Sequence, residues 1–291
     1  MIPPPLAIII PSFSRVDLLE ACLRSVVQHA PEHTEILVVD DASPNSSVSC
    51  VSLRFPGVRV LRLNSRRGFA HAANLGIAHT RAPIVELLND DTEVKPGWAD
   101  AALKWFDDPR IGAVAPLVLQ HADEKRIDSA GDVYDRGGFA RKRGNGMAIS
   151  DAPAELMQPG EVWGVNATAG FYRRAALERA GDFPEDFVAY FEDVDLSFRL
   201  RRAGYGIWYE PQSQVLHHVS ASYGQKPERA TLVRQSCNEE RLFWRNTHGW
   251  QRYRWIPRHA CVLFVKACLR WKQGTLAPWL QGRVQAWLGS A

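Results

Sequence analysis

The chain has 291 residues, 46% of them hydrophobic and 23% charged, which is the composition of a globular protein with one large domain or two small ones. A net charge of +3 does not indicate a nucleic-acid binder, and five cysteines without a CxxC spacing argue against a disulfide scaffold or zinc site and predict reduced thiols in a cytosolic protein. The N-terminus has no basic residues before its apolar run, so no signal peptide is predicted, and the longest late apolar run, residues 260–265, is far below the roughly 20 residues of a membrane span.

Short apolar runs alternate with helical patterns in the first ~110 residues. Residues 6–10 predict a strand buried on both faces, and Ser14 follows in the position of a helix N-cap. Such alternation predicts an α/β fold with a parallel sheet between helices. The other strands predicted here are 36–39, 58–63 and 83–88, and the helices 68–79 and 97–106.

Two pairs of adjacent aspartates come directly after predicted strands. Asp40 and Asp41 follow the second strand, and Asp90 and Asp91 follow the fourth, within ELLNDDTEV. Neighbouring carboxylates repel each other and are costly to bury unpaired, and ligands of open parallel sheets bind beyond the carboxyl ends of the strands. The pairs therefore indicate a metal or a hydrogen-bonding ligand at this edge, although capping of the next helix would explain either pair alone.

The second half of the chain begins with a polar stretch. Residues 120–160 include RGGFARKRGNG and are predicted to be rich in loops and mobile. Regular structure is predicted to return at residue 162. The predicted helices are 173–180 and 194–202, and the predicted strands are 205–209 and 214–217.

A third acidic group, in FEDVDLSF, begins the predicted helix near residue 194. Glu192, Asp193 and Asp195 lie together there, where the positive end of the helix stabilises a carboxylate. This favours a general base that stays ionised near neutral pH. A well-capped helix with an acidic first turn is the alternative.

Adjacent histidines in VLHHVSASYG follow the last predicted strand. His217 and His218 face opposite sides of a strand, so one of them can point toward the acidic edge. An Asp91, histidine and phosphate-oxygen shell suits Mn²⁺ or Mg²⁺. Packing or surface histidines are the alternative.

Five motifs occur in one order along the chain: IIIPSFSR, ILVVDDAS, N-x-x-x-G-F-A-x-A-x-N-x-G at residues 64–76, LLNDDTEV and FEDVDLSFRLRRAGY. With them the chain resembles, over residues 6–246, the family-2 glycosyltransferases, which are inverting enzymes with the GT-A fold. It is most similar to the bacterial branch that contains rhamnosyltransferases of O-antigen and cell-wall polysaccharide assembly. The resemblance implies a Rossmann-like, mostly parallel sheet in a domain at 1–246, with a nucleotide-sugar half to about 115 and an acceptor half from 116, and a helical extension at 247–291.

The resemblance also implies roles for individual residues. Asp193 matches the general base, with Glu192 in support, and Asp91 and His217 match the metal ligands, His217 being preferred to His218. The DxD position reads Asn-Asp-Asp here, so its first place departs from the family pattern. The implied nucleotide- and donor-binding residues are Pro11, Phe13 over the base, Asp40, Asp41 at the base imide, Asn74, and Asp90 at the ribose or sugar.

The C-terminal segment is basic and rich in tryptophan. Residues 241–291 carry nine Lys or Arg and no Asp or Glu, and six of the ten tryptophans lie in the last 48 residues. A helix predicted at 257–272 has an apolar face with basic flanks, which is typical of a helix in a membrane interface. A helical pair packed on the main domain is the alternative, and nucleic acid is the less favoured partner of the tail.

The implied activity is metal-dependent, inverting sugar transfer from a nucleotide-diphosphate sugar to a saccharide or lipid-linked saccharide. It would serve cell-surface polysaccharide synthesis in the cytoplasm, at the inner face of the membrane if the tail binds lipid. A nucleotidyltransferase is disfavoured because PSFSRVD lacks a glycine-rich phosphate loop, and a dehydrogenase because no G-x-G-x-x-G follows the first strand. A catalytically inactive sugar- or polymer-binding module on the same scaffold stays open.

Overall fold

A mixed sheet forms the centre of the protein, in a computed structural model that describes residues 5–218 and 228–289. The strands of these residues are β1 (Leu6–Ser12), β2 (Glu35–Asp40), β3 (Val58–Arg62), β4 (Ile84–Leu88), β5 (Thr92–Val94), β6 (Ile111–Gln120), β7 (Asp123–Ser129), β8 (Asp132–Asp135), β9 (Phe139–Lys142), β10 (Gly160–Glu161), β11 (Ala169–Arg173) and β12 (Gly206–His217). The helices are α1 (Val16–His29), α2 (Ser47–Ser52), α3 (Phe69–Ala78), α4 (Trp98–Leu103), α5 (Arg174–Ala180), α6 (Glu192–Arg202), α7 (Arg229–Asn246), α8 (Gly249–Lys272) and α9 (Leu276–Leu288).

The order of the strands brings several strand ends to one edge. The sheet runs β10-β12-β6-β11-β4-β1-β2-β3, with β5 beside β12 and β7 beside β6, while β8 and β9 pair separately. Strands β4, β1, β2 and β3 are parallel, and β11 runs antiparallel between β4 and β6. This mostly parallel sheet with helices on its faces confirms the predicted α/β class, and it places the ends of β1, β2 and β4 side by side.

Strand β1 shows why the first apolar run does not alternate with polar residues. All seven of its residues are buried. Ile8 and Ile10 pack in one core cluster with Leu19 of α1, and Ile9 packs in another with Ala73 of α3. Helices therefore cover both faces of the strand, and each buried isoleucine stabilises the fold by about 1.5–3 kcal/mol.

The loop after β1 differs from the prediction. Helix α1 begins at Val16 after Arg15, and no side chain caps it. Ser14 has a positive φ of 61° and donates its backbone N–H to Ser43 Oγ at 3.1 Å. The prediction of Ser14 as N-cap is wrong because this loop bonds to the neighbouring loop after β2 rather than to its own helix.

The sequence predicted that residues 120–160 are rich in loops, but the structure has three strands there. This stretch contains β7, which pairs with β6, and the antiparallel pair β8 and β9. The first four residues of β7 are exposed, so this edge strand carries charges and lacks the apolar run by which a strand is recognised. The two strands predicted at 205–209 and 214–217 are one strand, β12, with an irregularity between Glu210 and Gln214.

Three helices close the described chain, and a buried ionic network joins them. Arg283 of α9 pairs with Glu239 and Glu240 of α7, with Nη1 2.7 Å from Glu240 Oε2. Lys266 of α8 also pairs with Glu239, and His259 Nε2 lies 3.4 Å from Glu240 Oε2. Burial alone would raise the pKa of Glu240, but His259, Arg283 and Trp244 outweigh it and lower that pKa to about 2. The division of the chain after residue 246 stays a prediction.

Helices α8 and α9 follow that position, and α8 begins eight residues before the helix that was predicted at 257–272. Within the described residues, no helix combines the length and the apolar character that crossing a bilayer requires.

We expect Arg283→Met to lower the free energy of unfolding by about 3–5 kcal/mol, because it leaves two buried carboxylates without their main cation. Urea denaturation of the full chain measures this. The control is Arg24→Met, which removes an exposed pair with Glu20 on one helix. Equal stability of the Arg283 variant and the wild type would show that the network does not hold α9 in place.

Candidate active site

A cavity of about 460 Å³ lies directly beyond the end of β4. Side chains from many different parts of the chain line it, and several of them are charged. They include Arg15 after β1, Asp91 after β4, Asp132 of β8, Lys142 of β9, Asp193 of α6 and His217 of β12. The fold therefore gathers at one edge residues that are far apart in the sequence, among them four of the predicted site residues: Asp91, Glu192, Asp193 and His217.

The two aspartates after β4 have different main partners, although Arg15 Nη1 also lies 3.7 Å from Asp90 Oδ1. Asp90 Oδ2 accepts a hydrogen bond from Ser12 Oγ at 2.7 Å, while Asp91 Oδ2 pairs with the Arg15 guanidinium. Burial raises the pKa of Asp90 to about 6 despite the Ser12 hydrogen bond. Burial acts on Asp91 in the same direction, but His217 and Arg15 outweigh it and lower the pKa of that carboxyl. Asp91 is thus the member of the pair that is held ionised.

His217 lies between two buried carboxylates. Its Nδ1 is 3.0 Å from Asp128 Oδ2, and its Nε2 is 3.3 Å from Asp91 Oδ1. Burial lowers the pKa of His217, but the two aspartates outweigh burial and raise it. His218, in contrast, contacts Glu93 on the other side of the strand end. The structure therefore places His217, and not His218, beside Asp91.

Asp91 and His217 fit a divalent cation. Asp91 Oδ1 is buried and accepts no well-aligned hydrogen bond, and His217 Nε2 lies 3.3 Å from it, so both atoms could become ligands of one cation once His217 is neutral. A carboxylate oxygen with an imidazole nitrogen nearby suits Mn²⁺ or Mg²⁺ once oxygen ligands are added. Arg15, whose side chain is 42% exposed, supplies the positive charge on the other oxygen.

Asp128 and Lys142 belong to this site but were not predicted from the sequence. Asp128 is buried, and Lys142 Nζ donates to its Oδ2 at 2.7 Å. The same oxygen holds His217 Nδ1, so this pair fixes the ring that faces Asp91. Both residues lie in the polar stretch that was assigned to loops. The signal that could have pointed to Asp128 is its place directly after the apolar Ile127 in RIDSAGD, near the end of β7, and the sequence offers no comparable signal for Lys142.

Asp193 occupies the first turn of α6, at the other wall of the cavity. Its Oδ2 accepts the Ala167 N–H at 2.9 Å, and its Oδ1 accepts the Val194 N–H at 2.8 Å. Burial outweighs these N–H groups and raises the pKa of Asp193, so the positive helix end does not by itself keep this carboxyl at its ordinary value. Burial, together with the charge of Asp193, raises the pKa of Glu192 to about 8 and also raises that of Asp132. The three carboxyl groups therefore titrate together.

An unusual backbone segment leads into α6. Val188, Tyr190 and Phe191 have positive φ values of 62°, 74° and 72°, which side-chain-bearing residues rarely adopt. Asn238 of α7 is buried, and its Nδ2 lies 2.9–3.0 Å from the carbonyl oxygens of Phe187, Ala189 and Tyr190. Helix α7 thus holds the segment that positions Glu192 and Asp193.

The residues expected at the nucleotide base lie outside this cavity. Pro11 is buried in β1, and the Arg66 guanidinium carbon is 3.9 Å from the centroid of the Phe13 ring. Asp41 accepts the backbone N–H groups of Arg67 and Gly68 at 2.7 and 2.8 Å, which fixes the start of α3. Asp41 therefore organises a loop here and keeps lone pairs available for a ligand.

Asp40 and Asn74 are occupied by contacts within the fold. Asp40 is fully buried and accepts hydrogen bonds from Ser43, Ser49 and Arg62. Burial would raise its pKa, but these bonds outweigh burial and lower it. The Asn74 side chain donates to the carbonyl of Phe183 and accepts its N–H, at 2.8 and 2.9 Å. These contacts give both side chains a part in packing α2 and α3.

The chain matches known proteins over most of its length. The family model described as glycosyl transferase family 2 matches residues 7–180. An uncharacterized protein of Sinorhizobium fredii is 30% identical over 92% of this chain, which spans only 31% of that protein. An N-acetylglucosaminyl-diphospho-decaprenol L-rhamnosyltransferase of Mycobacterium tuberculosis is 28% identical over 96% of this chain and 98% of its own length.

The fold has solved counterparts. A mannosyltransferase from Pyrobaculum calidifontis, in complex with GDP-Man and Mn²⁺, superposes with a TM-score of 0.64 at 18% identity. The superposition covers 99% of this chain and 88% of the mannosyltransferase chain. At that identity the likeness supports the fold.

We expect Asn238→Leu to loosen the segment at 187–191, because three carbonyl groups lose their shared donor. Losing buried hydrogen bonds costs about 1–3 kcal/mol, which corresponds to amide hydrogen exchange roughly ten- to a hundredfold faster in a peptide spanning 187–192. The control is Asn246→Leu, since Asn246 is buried on the same helix and donates to Asp195 instead. Equal exchange of that peptide in both variants would contradict the assignment to Asn238.

Proposed function

This chain belongs to glycosyl transferase family 2, and we propose that it moves rhamnose from a nucleotide-diphosphate sugar to a lipid-linked saccharide in cell-surface polysaccharide synthesis, O-antigen included. Nucleotide-sugar glycosyl transfer follows from the family, whereas the sugar and the acceptor are our proposal. The similarity to a rhamnosyltransferase over nearly the full length of both chains supports rhamnose and a lipid-linked acceptor. One observation carries the mechanism: Asp91 and Asp193, from different elements, line the same cavity.

Asp193 is the general base in this proposal. An acceptor hydroxyl is a poor nucleophile until a carboxylate takes its proton, a contribution worth about 10²–10⁴-fold in rate. Asp193 accepts two backbone N–H groups, so its oxygens are fixed in direction, and its raised pKa makes it a better proton acceptor than an exposed aspartate. Burial, followed by the charge of Asp193, raises the pKa of Glu192 and of Asp132, so these two neighbours favour their neutral forms beside Asp193.

Asp91 and His217 hold the divalent cation, Mn²⁺ or Mg²⁺, in this proposal. Such a cation, when bound, neutralises charge on the leaving diphosphate. The chain supplies the rest: Asp128 and Lys142 fix the His217 ring, and Arg15 adds a positive charge beside Asp91. The mannosyltransferase of similar fold was solved with Mn²⁺, which supports a metal at this edge.

Inversion of the anomeric carbon requires the base and the leaving group on opposite faces of the sugar. Asp193 comes from α6, and the Asp91 region comes from the end of β4, with the cavity between them. A single displacement across this cavity needs no covalent intermediate. The residues proposed for the nucleotide lie beside it: Pro11 in β1, Phe13 and Asp41 in the loops after β1 and β2, and Asp90 after β4. Asp40 and Asn74 support this region by fixing the packing of α2 and α3.

A membrane-facing surface on α8 and α9 agrees with a lipid-linked acceptor. Trp250, Phe264 and Trp271 are 81%, 71% and 73% exposed, and their spacings of fourteen and seven residues put them on one face of α8. Exposed arginines flank this face, among them Arg254 and Arg258. Aromatic residues with basic neighbours match the interface of an anionic bilayer, so we propose peripheral attachment to the inner leaflet.

The donor site is tested by thermal unfolding with UDP, dTDP, GDP and CMP, each with and without Mn²⁺. We expect one nucleotide to raise the Tm in a metal-dependent way, because a ligand at about 100 times its Kd stabilises the native state by about 2.7 kcal/mol. Asp91→Asn should lose the metal-dependent part. Asp193→Asn should keep the Tm shift and lose turnover of the matching sugar nucleotide by at least about 100-fold.

The matched control is Asp17→Asn, an aspartate in the first turn of another helix that faces solvent. It should leave both the Tm shift and turnover unchanged. Turnover at the wild-type rate by Asp193→Asn would remove Asp193 as the base. The Tm shift without turnover of any sugar nucleotide by the wild type would favour the inactive binding module.

Membrane attachment is tested by sedimentation with vesicles of anionic or neutral phospholipid. We expect the protein to pellet with anionic vesicles, less so at high salt, and Phe264→Gln/Trp271→Gln to weaken this by tenfold or more, because two large apolar groups leave the interface. The control is Leu53→Gln, which changes a 70% exposed apolar residue that is far from α8 in the sequence. Undiminished pelleting of the double variant would contradict the assignment of α8.

A further inference from the structure

Glu93, His121 and His218 form a second cluster of metal-binding side chains. One ligand atom of each lies within 4.8 Å of those of the others. Glu93 Oε1 is 2.7 Å from His218 Nε2 and 3.2 Å from His121 Nε2. Neither Glu93 nor His121 lies in the cavity described above. We propose that this cluster is a surface binding site for Zn²⁺, separate from the cation site of Asp91 and His217.

The backbone brings these three side chains together and fixes them. Strand β12 lies between β5 and β6, with Leu216 opposite Glu93 and His217 opposite Gln120. His121 then donates its backbone N–H to the carbonyl of His217 at 2.8 Å, and His218 donates its own to the carbonyl of Asp91 at 2.8 Å. Each ligand therefore comes from the end of a different, hydrogen-bonded strand, which is a rigid frame for a metal.

The side chains already face one point. The imidazole rings of His121 and His218 are stacked, with centroids 3.6 Å apart and planes 20° apart. Both direct Nε2 toward the same carboxylate oxygen, Glu93 Oε1. Zinc bonds of about 2.0–2.1 Å place ligand atoms about 3.3 Å apart, so the two stacked rings would have to rotate apart for both nitrogen lone pairs to reach one ion.

The ligand types select the metal. Two imidazole nitrogens and one carboxylate, with room for water, suit Zn²⁺, while Mn²⁺ and Mg²⁺ favour oxygen-rich shells such as a diphosphate provides. The side chains of His121, Glu93 and His218 are 40%, 29% and 20% exposed, so an ion can enter from solvent. The proposal does not depend on the proposed function, because it concerns binding alone.

Occupancy would affect the neighbouring site through the backbone. His218 follows His217 directly, and its N–H holds the carbonyl of Asp91. An ion that joins the ends of β5, β6 and β12 would restrain the two residues proposed to hold the donor cation. We expect Zn²⁺ to raise the Tm, because it binds the native state.

The test is a Zn²⁺ titration of the full chain by isothermal calorimetry, with excess Mg²⁺ present. Cys50, Cys261 and Cys268 are exposed, and thiolates also bind Zn²⁺, so the titration uses a C50S/C261S/C268S background. We expect one ion per chain, with affinity at least tenfold weaker in His121→Ala and in Glu93→Gln. The control is His79→Ala, an exposed histidine at the end of α3.

Each outcome bears on the proposal. Equal Zn²⁺ affinity in the background protein and in both cluster variants would overturn it, as would full displacement of Zn²⁺ by equimolar Mn²⁺. Asp91→Asn should retain the zinc site, and its loss in that variant would assign the ion to the donor site instead. His121 lies in an exposed turn and Glu93 on a short edge strand, so either variant alone suffices if the other does not fold.

Discussion

The repulsion between two adjacent buried carboxylates at the end of β4 is the constraint on which the rest of the site depends. Asp90 and Asp91 have 7% and 1% of their surface exposed, so neither can rely on water. Different residues stabilise each of the two carboxyl groups. Ser12 bonds to Asp90, which is partly protonated near pH 6, while Arg15 and His217 keep Asp91 ionised. The partners of this pair bring β1, β12 and the loop after β1 to one edge of the sheet.

A second group of carboxyls lines the same cavity, but their pKa values are raised, whereas that of Asp91 is lowered. Asp132, Glu192 and Asp193 are buried with less positive charge, and the pKa of each is raised. One wall of the cavity therefore favours ionised oxygen ligands and the other favours groups that take up protons. Sugar transfer needs both conditions, because a leaving diphosphate requires positive charge and an acceptor hydroxyl requires a proton acceptor.

Sequence reasoning succeeded where burial leaves a regular pattern. The parallel strands β1, β2 and β4 are largely apolar runs because helices cover both faces of the sheet. The acidic residues at the ends of β2 and β4 could be recognised because they directly follow such runs. Strands β7 to β9 were missed because their exposed residues are charged. Asp128, Lys142 and Asn238 were missed because their importance lies in contacts with residues far away in sequence. The roles of the individual site residues stay predictions.

The contact between Asn238 and the segment at 187–191 also sets an order of assembly during synthesis. Chains are made from the N-terminus, and their early parts fold first. The parallel strands and the carboxylates after them can form early, but the turn before Asp193 lacks its donor until α7 has been made. Helix α7 in turn pairs through Glu239 and Glu240 with Arg283, near the end of the chain. The turn before Asp193 can therefore take its final form only after α7, and the α9 residue that pairs with α7, have been synthesised.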